Sequence, residues 1–203
     1  MGNEDANVAA SGYRFKEIEH KFVVSDDFDV QSFRDALEAL GPTRTNAVRV
    51  RDRYYLTAGG IERRFLIRHR FDADLHHLTV KSVGRDTEVR DEVNLDLGQH
   101  AGDQKERVDA FIAWLDVRWT GTVEKDLEVW YFPDCEVVHY VASAEGRSIR
   151  CVEFEATRKD SLQGALATVE RFERATGFQS QARAELSLPQ LLFPELVERL
   201  APR

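Results

Sequence analysis

The sequence predicts one α+β domain built on an eight-stranded antiparallel β-barrel with flanking helices, and three observations support that fold class. Eight segments alternate apolar and polar residues, short turns or single helices separate them, and the strand-helix-strand rhythm of a parallel sheet does not recur. A chain of 203 residues, 42% of them hydrophobic, can bury a core of its own. We assign residues 13–203 to this domain and expect residues 1–12, which are small and polar without periodicity, to form a flexible tail.

The pattern in the first half of the chain predicts five strands and one helix. Tyr13 to Val24 alternates as a strand does, and Ser25 or Asp26 then caps a helix that ends at Gly41. The apolar residues of this helix recur at helical spacing, at Phe28, Phe33, Ala36, Leu37 and Leu40. Further strands are predicted at about 48–57, 63–71, 77–83 and 87–97, with turn residues at 58–60, 72–74 and 84–86. Such short connections favour antiparallel neighbours.

The second half predicts three more strands and three helices. A helix is predicted at about 103–116, followed by strands at about 121–132, 136–142 and 148–157. An apolar stripe after Asp160 predicts another helix, which ends at Gly177. Leu188 to Leu200 has the pattern of a final amphipathic helix, although Pro189 and Pro194 disturb its start and its register.

Composition narrows the classes of partner and compartment. The formal net charge of -8 provides no long basic surface, which argues against nucleic acid as a partner. No apolar run reaches the roughly 18 residues of a membrane span, and the first ten residues lack the apolar stretch of a signal peptide. Cys135 and Cys151 are the only cysteines, which suits two buried thiols in a reducing compartment. We therefore expect a cytoplasmic protein without a membrane partner. Exposed helices on the outside of the barrel wall could support a homodimer.

Charged residues occupy one face of several predicted strands. Side chains alternate across a strand, so Glu17, Glu19 and Lys21 point to one side while the apolar residues between them point to the other. The same alternation sets further charged residues apart from their apolar neighbours, at Arg68, Arg70, Lys81, Arg90, Glu92, Lys125, Glu153 and Glu155. A single strand of this kind is most simply a surface strand whose charges face water. Its repetition instead predicts a barrel with a charged, water-filled interior, since a dry interior would impose a large desolvation cost.

This mixture of acids and bases predicts a site for a polyphosphate anion and a divalent metal. Mg²⁺ and Mn²⁺ prefer carboxylate oxygens and bridge to phosphate oxygens, so two separate Glu-x-Glu pairs indicate metal ligands. Arginine contacts phosphate through paired donors and lysine through a compact charge. The sequence therefore predicts Lys21, Arg68, Arg70 and Lys81 as anion ligands.

The order of these motifs resembles that of the CYTH family, also called triphosphate tunnel metalloenzymes. Glu17-Ile18-Glu19-His20-Lys21 forms the E-x-E-x-K signature. The later motifs follow in the family's order between residues 13 and 190, at Asp52-Arg53-Tyr54-Tyr55, Arg68-His69-Arg70, Lys81, Arg90-Asp91-Glu92 and Glu153-Phe154-Glu155. The resemblance implies an eight-stranded tunnel that binds triphosphate compounds and Mg²⁺ or Mn²⁺, in proteins that act as triphosphatases or adenylate cyclases.

The resemblance also implies roles for individual residues. The implied metal ligands are Glu17, Glu19, Glu153 and Glu155, and the implied catalytic groups are Glu17, Glu19, Lys21 and Glu92. The implied substrate ligands are Lys21, Arg68, Arg70, Lys81, Arg90, Lys125 and, near a position that is often lysine in the family, Arg183. We therefore expect a metal-dependent hydrolase of inorganic triphosphate or a small organic triphosphate.

Three departures from the family pattern keep two alternatives open. Leu56 stands where the family usually has aspartate, Asn94 where it has a second glutamate, and Leu127 where it has an arginine. Loss of these groups would suit a domain that binds polyphosphate or a nucleotide without turnover. Adenylate cyclisation is the other alternative, because it uses the same triphosphate and metal.

Overall fold

Eight antiparallel strands close into a barrel in the structure, a computed structural model that describes residues 15–71, 76–84, 88–98 and 103–201. The strands are β1 (Lys16–Val24), β2 (Arg44–Thr57), β3 (Phe65–Phe71), β4 (His76–Ser82), β5 (Val89–Asp96), β6 (Val117–Tyr131), β7 (Cys135–Ala144) and β8 (Arg147–Ala156). Their order around the barrel is β1-β5-β4-β3-β2-β6-β7-β8. The predicted fold class is confirmed.

The register brings the charged faces of the strands together inside the barrel. Glu17 pairs with Arg90 across β1 and β5, and Glu19 pairs with Glu155 across β1 and β8. On the opposite side Asp52 of β2 pairs with Arg70 of β3. Because paired residues lie on the same face, these pairs show that the ionic residues of different strands share the interior.

Six helices accompany the barrel in the described part of the chain. They are α1 (Val30–Ala39), α2 (Ala58–Arg63), α3 (Gln104–Ala113), α4 (Leu162–Thr176), α5 (Leu188–Leu192) and α6 (Glu195–Arg199). The cap of α1 is Asp29, whose carboxylate accepts from the Ser32 amide at 2.9 Å, and not the predicted Ser25 or Asp26. The predicted end of α4 at Gly177 is confirmed, with a left-handed φ of 82° that glycine adopts without strain.

Two of the helical predictions differ from the structure. Residues 58–60 were predicted as a turn, but they begin α2, which Thr57 caps by accepting from the Gly60 amide at 2.9 Å. Glycine fits at position 60 because it has no Cβ, and a Cβ there would lie 2.6 Å from the Phe65 carbonyl oxygen. The final helix predicted at 188–200 is divided into α5 and α6, because the backbone leaves helical geometry at Phe193, before Pro194.

Apolar residues form separate layers outside and inside the barrel. Outside, α1 and α4 pack against β1 and β8 around an aromatic cluster that includes Phe22, Phe33, Phe154 and Phe178. Inside, residues of α5 and α6 pack against inward residues at one end of the barrel, including Leu56 and Leu66. The charged residues therefore occupy the part of the interior that this apolar floor leaves free. None of the helices among the described residues has both the length and the apolar character that crossing a membrane requires.

Two strands begin earlier in the structure than the sequence predicts. The strand predicted at 48–57 begins at Arg44, and the strand predicted at 121–132 begins at Val117. The predicted tail at residues 1–12 and the turn at 72–74 lie outside the described residues, as do parts of the turn at 84–86.

Candidate functional site

The interior of the barrel contains a cavity of about 170 Å³ that is lined mainly by charged side chains. Its bases are Lys21, Arg68, Arg70, Lys81, Arg90 and Lys125, and its acids are Glu17, Glu19, Glu92, Glu136, Glu153 and Glu155. The signs balance at six each, so the cavity is a mixed ionic site in which each sign compensates the other.

The wall formed by β1, β4 and β5 is an alternating row of ion pairs. Lys81 Nζ lies 2.5 Å from one oxygen of Glu17, and Arg90 Nε lies 3.1 Å from the other. Arg90 also pairs with Glu19, and Lys81 with Glu92 at 3.1 Å. Burial would raise the pKa of Glu17, but Lys81 and Arg90 together lower that pKa to about 2. Glu17 is therefore ionised at neutral pH and able to act as an anionic ligand.

Lys21 links β1 to β8 through a second carboxylate. Its Nζ lies 2.9 Å from Glu153 and 3.2 Å from Glu19. Tyr140 donates its hydroxyl to the same oxygen of Glu153 at 2.7 Å. Burial would raise the pKa of Glu153, but Lys21 and Lys125 lower it to about 2. Tyr140 lines the cavity without having been predicted, because a tyrosine in an apolar strand has the pattern of an ordinary core residue.

Asp52 is a buried carboxylate that holds two of the predicted phosphate ligands. Arg70 donates to both of its oxygens, at 2.7 and 2.8 Å, and Lys125 lies 2.8 Å away. Asp52 has no exposed surface, and although burial raises its pKa, Lys125 and Arg70 hold that pKa well below its usual range. Asp52 was predicted only as part of the motif Asp52-Arg53-Tyr54-Tyr55. Its inward position in the period of β2 was the available signal.

Two acids of the cavity, Glu155 and Glu136, form no ion pair with the bases that line it. Glu155 pairs with Lys159, which lies outside the cavity lining, at 3.2 Å. Burial and the neighbouring Glu17 carboxylate raise the pKa of Glu155 to about 7. Burial and Glu153 likewise raise the pKa of Glu136, which was not among the predicted site residues. The ionised forms of Glu155 and Glu136 are therefore disfavoured here, and a bound cation would favour them.

The structure brings all but one of the predicted site residues into this cavity. The exception is Arg183, which pairs with Glu88 and with Glu173 at 3.3 Å, and which does not line the cavity. Of the three departures, Leu127 lines the cavity and Leu56 is buried in the apolar floor. Asn94 accepts from the Thr79 hydroxyl at 2.6 Å and donates to Glu92 at 2.7 Å. The roles of the assembled residues as catalytic groups and ligands stay predictions.

The donor set suits a hard divalent cation, although the carboxylates are held by bases in this structure. Within the described residues, no three side chains of His, Cys, Asp or Glu are gathered closely enough to coordinate a metal as they stand. Oxygens of Glu17, Glu19 and Glu92 are buried without a well-formed hydrogen bond, although bases lie within ion-pair distance. Because Lys81 and Arg90 lie against these oxygens, Mg²⁺ or Mn²⁺ would have to displace the bases in order to bind them.

The barrel matches several solved structures at low sequence identity. It aligns with the PH1012 protein from Pyrococcus horikoshii OT3 at a TM-score of 0.65 and 17% identity, over 87% of this chain and 99% of that one. A conserved hypothetical protein from Pyrococcus furiosus aligns at 0.64 and 20% identity, over 87% and 99% of the two chains. A candidate adenylate cyclase from Bacillus halodurans aligns at 0.55 and 17% identity, over 88% and 99%.

This chain shares the closed eight-stranded barrel fold of these structures, and the charged interior of its barrel is called the tunnel below. No family model matches its sequence, and no curated protein matches it either. At these identities the neighbours establish the architecture, and the activity of the tunnel depends on its own side chains. All eight strands contribute a charged side chain to this interior, counting Asp52 of β2 behind the lining.

Proposed function

We propose that this protein is a divalent-metal-dependent hydrolase of inorganic triphosphate or of a small organic triphosphate. The observation that carries the proposal is the cavity itself, in which six bases and six acids face one enclosed space. Buried ion pairs stabilise a protein little, because desolvation offsets their attraction. An arrangement of this size is better explained by a ligand that carries both signs, such as a metal-bound phosphate chain.

The bases would bind and orient the phosphate chain. Arg68 and Arg70 are planar donors suited to paired contacts with phosphate oxygens, and Lys21, Lys81, Arg90 and Lys125 add positive charge around them. Burial lowers the pKa of Lys81, but Glu17 and Glu92 raise it above its usual value, so this amine stays charged at neutral pH. The substrate would therefore meet preorganised positive charge, which stabilises charge that develops in phosphoryl transfer.

The acids would hold the metal and orient water. Glu17, Glu19, Glu153 and Glu155 would be the ligands of Mg²⁺ or Mn²⁺, which supplies charge neutralisation at the phosphate oxygens when bound. Hydrolysis forms a bond from a water oxygen to the terminal phosphorus and breaks the bridging phosphorus-oxygen bond. The proton released by the water would pass to a tunnel carboxylate. We assign this role to Glu92, which lies beside Lys81 and Arg68.

The test is phosphate release by the purified protein from inorganic triphosphate, ATP and thiamine triphosphate, each with Mg²⁺, Mn²⁺ or a chelator. We expect release that needs metal and that falls by at least about a hundredfold in Glu17→Ala/Glu19→Ala, as expected when groups that act on the transition state are removed. The matched control is Glu124→Ala/Asp126→Ala, which removes two exposed acids that lie outside the tunnel lining. Release that survives in the Glu17/Glu19 variant would refute the proposed site.

A domain that binds without turnover is the second candidate, and Leu127 favours it. This leucine lines the tunnel where the resembling family has an arginine, so one phosphate contact is absent. Triphosphate that raises the melting temperature without being hydrolysed would support this alternative. Cyclic AMP produced from ATP would instead support cyclisation, the activity for which the Bacillus halodurans neighbour is named.

A further inference from the structure

The end of helix α3 presents large apolar side chains to solvent. Trp114, which follows the helix, is 90% exposed, Phe111 is 63% exposed and Leu115 is 41% exposed. The helix is attached to the barrel by a different face, on which Val108 and Ile112 pack against outer residues of β2 and β3. Aromatic side chains bury about 150–250 Å² each when they pack, so two of them in water leave a large hydrophobic gain unused.

Two of these exposed residues lie on the flank of α3 that faces β4 and β5. Asp109, on the other flank, pairs with Arg53 and accepts a hydrogen bond from Tyr55, which are both residues of β2. At about 100° per residue, Phe111 and Leu115 point about 200–240° away from Asp109 around the helix. The strands on that side are β4 and β5, because the order around the barrel is β5-β4-β3-β2.

The outer faces of β4 and β5 carry exposed apolar residues beside this flank. Val80 pairs with Val93 across the two strands, and Leu95 follows Val93 on the same face. Lys81, the neighbour of Val80, lines the tunnel, so the valine points outward. Val80, Val93 and Leu95 are 42%, 39% and 54% exposed. A sheet face that meets water usually carries polar residues, so this apolar face has the character of one that packs against another surface.

The six residues together form a surface of the size that a protein interface needs. We call them the apolar patch, which consists of Val80, Val93, Leu95, Phe111, Trp114 and Leu115. Their exposed fractions correspond to roughly 600 Å² of apolar surface, the upper end for the largest patch on a monomeric protein. A standard interface buries about 800 Å² per partner, so the patch would supply its apolar centre and the surrounding polar residues its rim.

We propose that the apolar patch is the interface of a two-fold symmetric homodimer. In such a dimer one surface contacts its own copy, so it must contain both halves of each contact. The patch meets this requirement, because the residues of α3 project from the barrel wall and the residues of β4 and β5 form a sheet face beside them. The helix end of one protomer therefore lies against the sheet face of its partner. The inference is independent of the proposed function, since the patch is outside the tunnel.

The first test is sedimentation equilibrium of the full chain over a range of concentrations. We expect a species of twice the mass of the chain with a dissociation constant at or below about 10 µM, because interfaces of standard size bind with micromolar to picomolar affinity. A chain that stays monomeric at about 100 µM, ten times that value, would overturn the proposal. The patch would then belong to a different occupant, such as residues 1–14 of the same chain or another protein.

Two substitutions test the two halves of the patch separately. Trp114→Ala removes the most exposed ring of the helical half, and Leu95→Lys places a charge in the sheet half. Each should raise the dissociation constant at least about a hundredfold, because buried aromatic anchors dominate affinity and a two-fold interface contains each substitution twice. The matched control is Leu40→Lys at the end of α1, where a leucine that is 39% exposed lies outside the patch, and it should change the constant by no more than about twofold. Unchanged dimerisation in either patch variant would overturn the proposed interface.

The fluorescence of Trp114 measures directly whether the patch is covered. Of the other two tryptophans, Trp130 is 4% exposed and Trp119 packs against Phe193, so acrylamide quenches mainly Trp114 in the monomer. We expect quenching to fall as the protein concentration rises through the dissociation constant, and to show no such fall in Trp114→Phe. Quenching that is independent of concentration, in a chain that sediments as a dimer, would place the interface elsewhere and overturn the proposal.

Discussion

Replacing Asp52 with asparagine removes the negative charge beside Arg70 and Lys125 and keeps the size of the side chain. Asp52 is fully buried, and the side chains of Arg70 and Lys125 are only 15% and 8% exposed. Three contacts of 2.7 to 2.8 Å connect the carboxylate to these two bases. Removal of one partner of a buried ion pair typically costs about 3–5 kcal/mol, because the other charge is left buried without compensation. Because asparagine retains one acceptor oxygen, we expect Asp52→Asn to lower the free energy of unfolding by about 3 kcal/mol, the lower end of that range.

The measurement is the free energy of unfolding in urea at pH 7, with Asp126→Asn as the matched control. Asp126 undergoes the same chemical change, but its side chain is 70% exposed and it lies 3.5 Å from an equally exposed Arg49. An exposed pair contributes about 0–1 kcal/mol, so the control should lie close to wild type. A loss of less than about 1 kcal/mol in Asp52→Asn would show that Arg70 and Lys125 do not depend on this carboxylate.

The pH dependence of the same variant gives an independent check. Lys125 and Arg70 hold the pKa of Asp52 well below its usual range against the effect of burial. A lowered pKa in the folded state contributes stability above the unfolded pKa of about 3.9, and that stability is lost as the pH falls towards the folded value. The difference between wild type and Asp52→Asn should therefore be full above pH ~5 and shrink below pH ~4.

Three further predictions follow from other contacts. Arg183→Met should lower the free energy of unfolding by about 1 kcal/mol and leave triphosphate affinity unchanged, because Arg183 pairs with Glu88 and Glu173 outside the tunnel lining; calorimetric affinity weakened tenfold would restore its predicted role. Gly121→Ala should lower the free energy of unfolding in urea by about 1–3 kcal/mol, because the added Cβ would lie 2.6 Å from the Trp119 ring. An unchanged midpoint of urea unfolding would contradict this packing. Asp109→Asn should lower the free energy of unfolding by about 1–2 kcal/mol at pH 7, because hydrogen bonds from Tyr55, His69 and Lys105 lower the pKa of Asp109 against the effect of burial. If the same loss of stability were measured at pH 3, these hydrogen bonds would be excluded as its cause.

Local patterns were sufficient to predict the strands and most of the ionic lining. The alternation around Glu17 and Glu19 requires only the two-residue period of a strand, which is a local property of the chain. Helix α4 was equally predictable, because its apolar stripe and the stop at Gly177 lie within one segment. The same reasoning was wrong for residues 58–60, where the weak helix propensity of two glycines is overridden by the Thr57 cap and by packing against β3.

The pairing of distant residues was outside the reach of the sequence. Asp52 can hold both Arg70 and Lys125 only because β2 lies between β3 and β6, and that order of strands is a property of the closed barrel. Arg183 shows the opposite error, because proximity to a motif position in sequence does not determine which side of the barrel wall a loop residue occupies.

The sequence by itself determined which residues could face the interior, since the two-residue period of a strand fixes the relative orientation of its side chains. Tertiary structure alone decided which charges meet, because ion pairs depend on strand order and register over long sequence separations. It also decided that the C-terminal residues close one end of the tunnel. The apolar pattern of Leu188–Leu200 shows that this segment must be buried, but only the assembled barrel offers the inner surface that buries it.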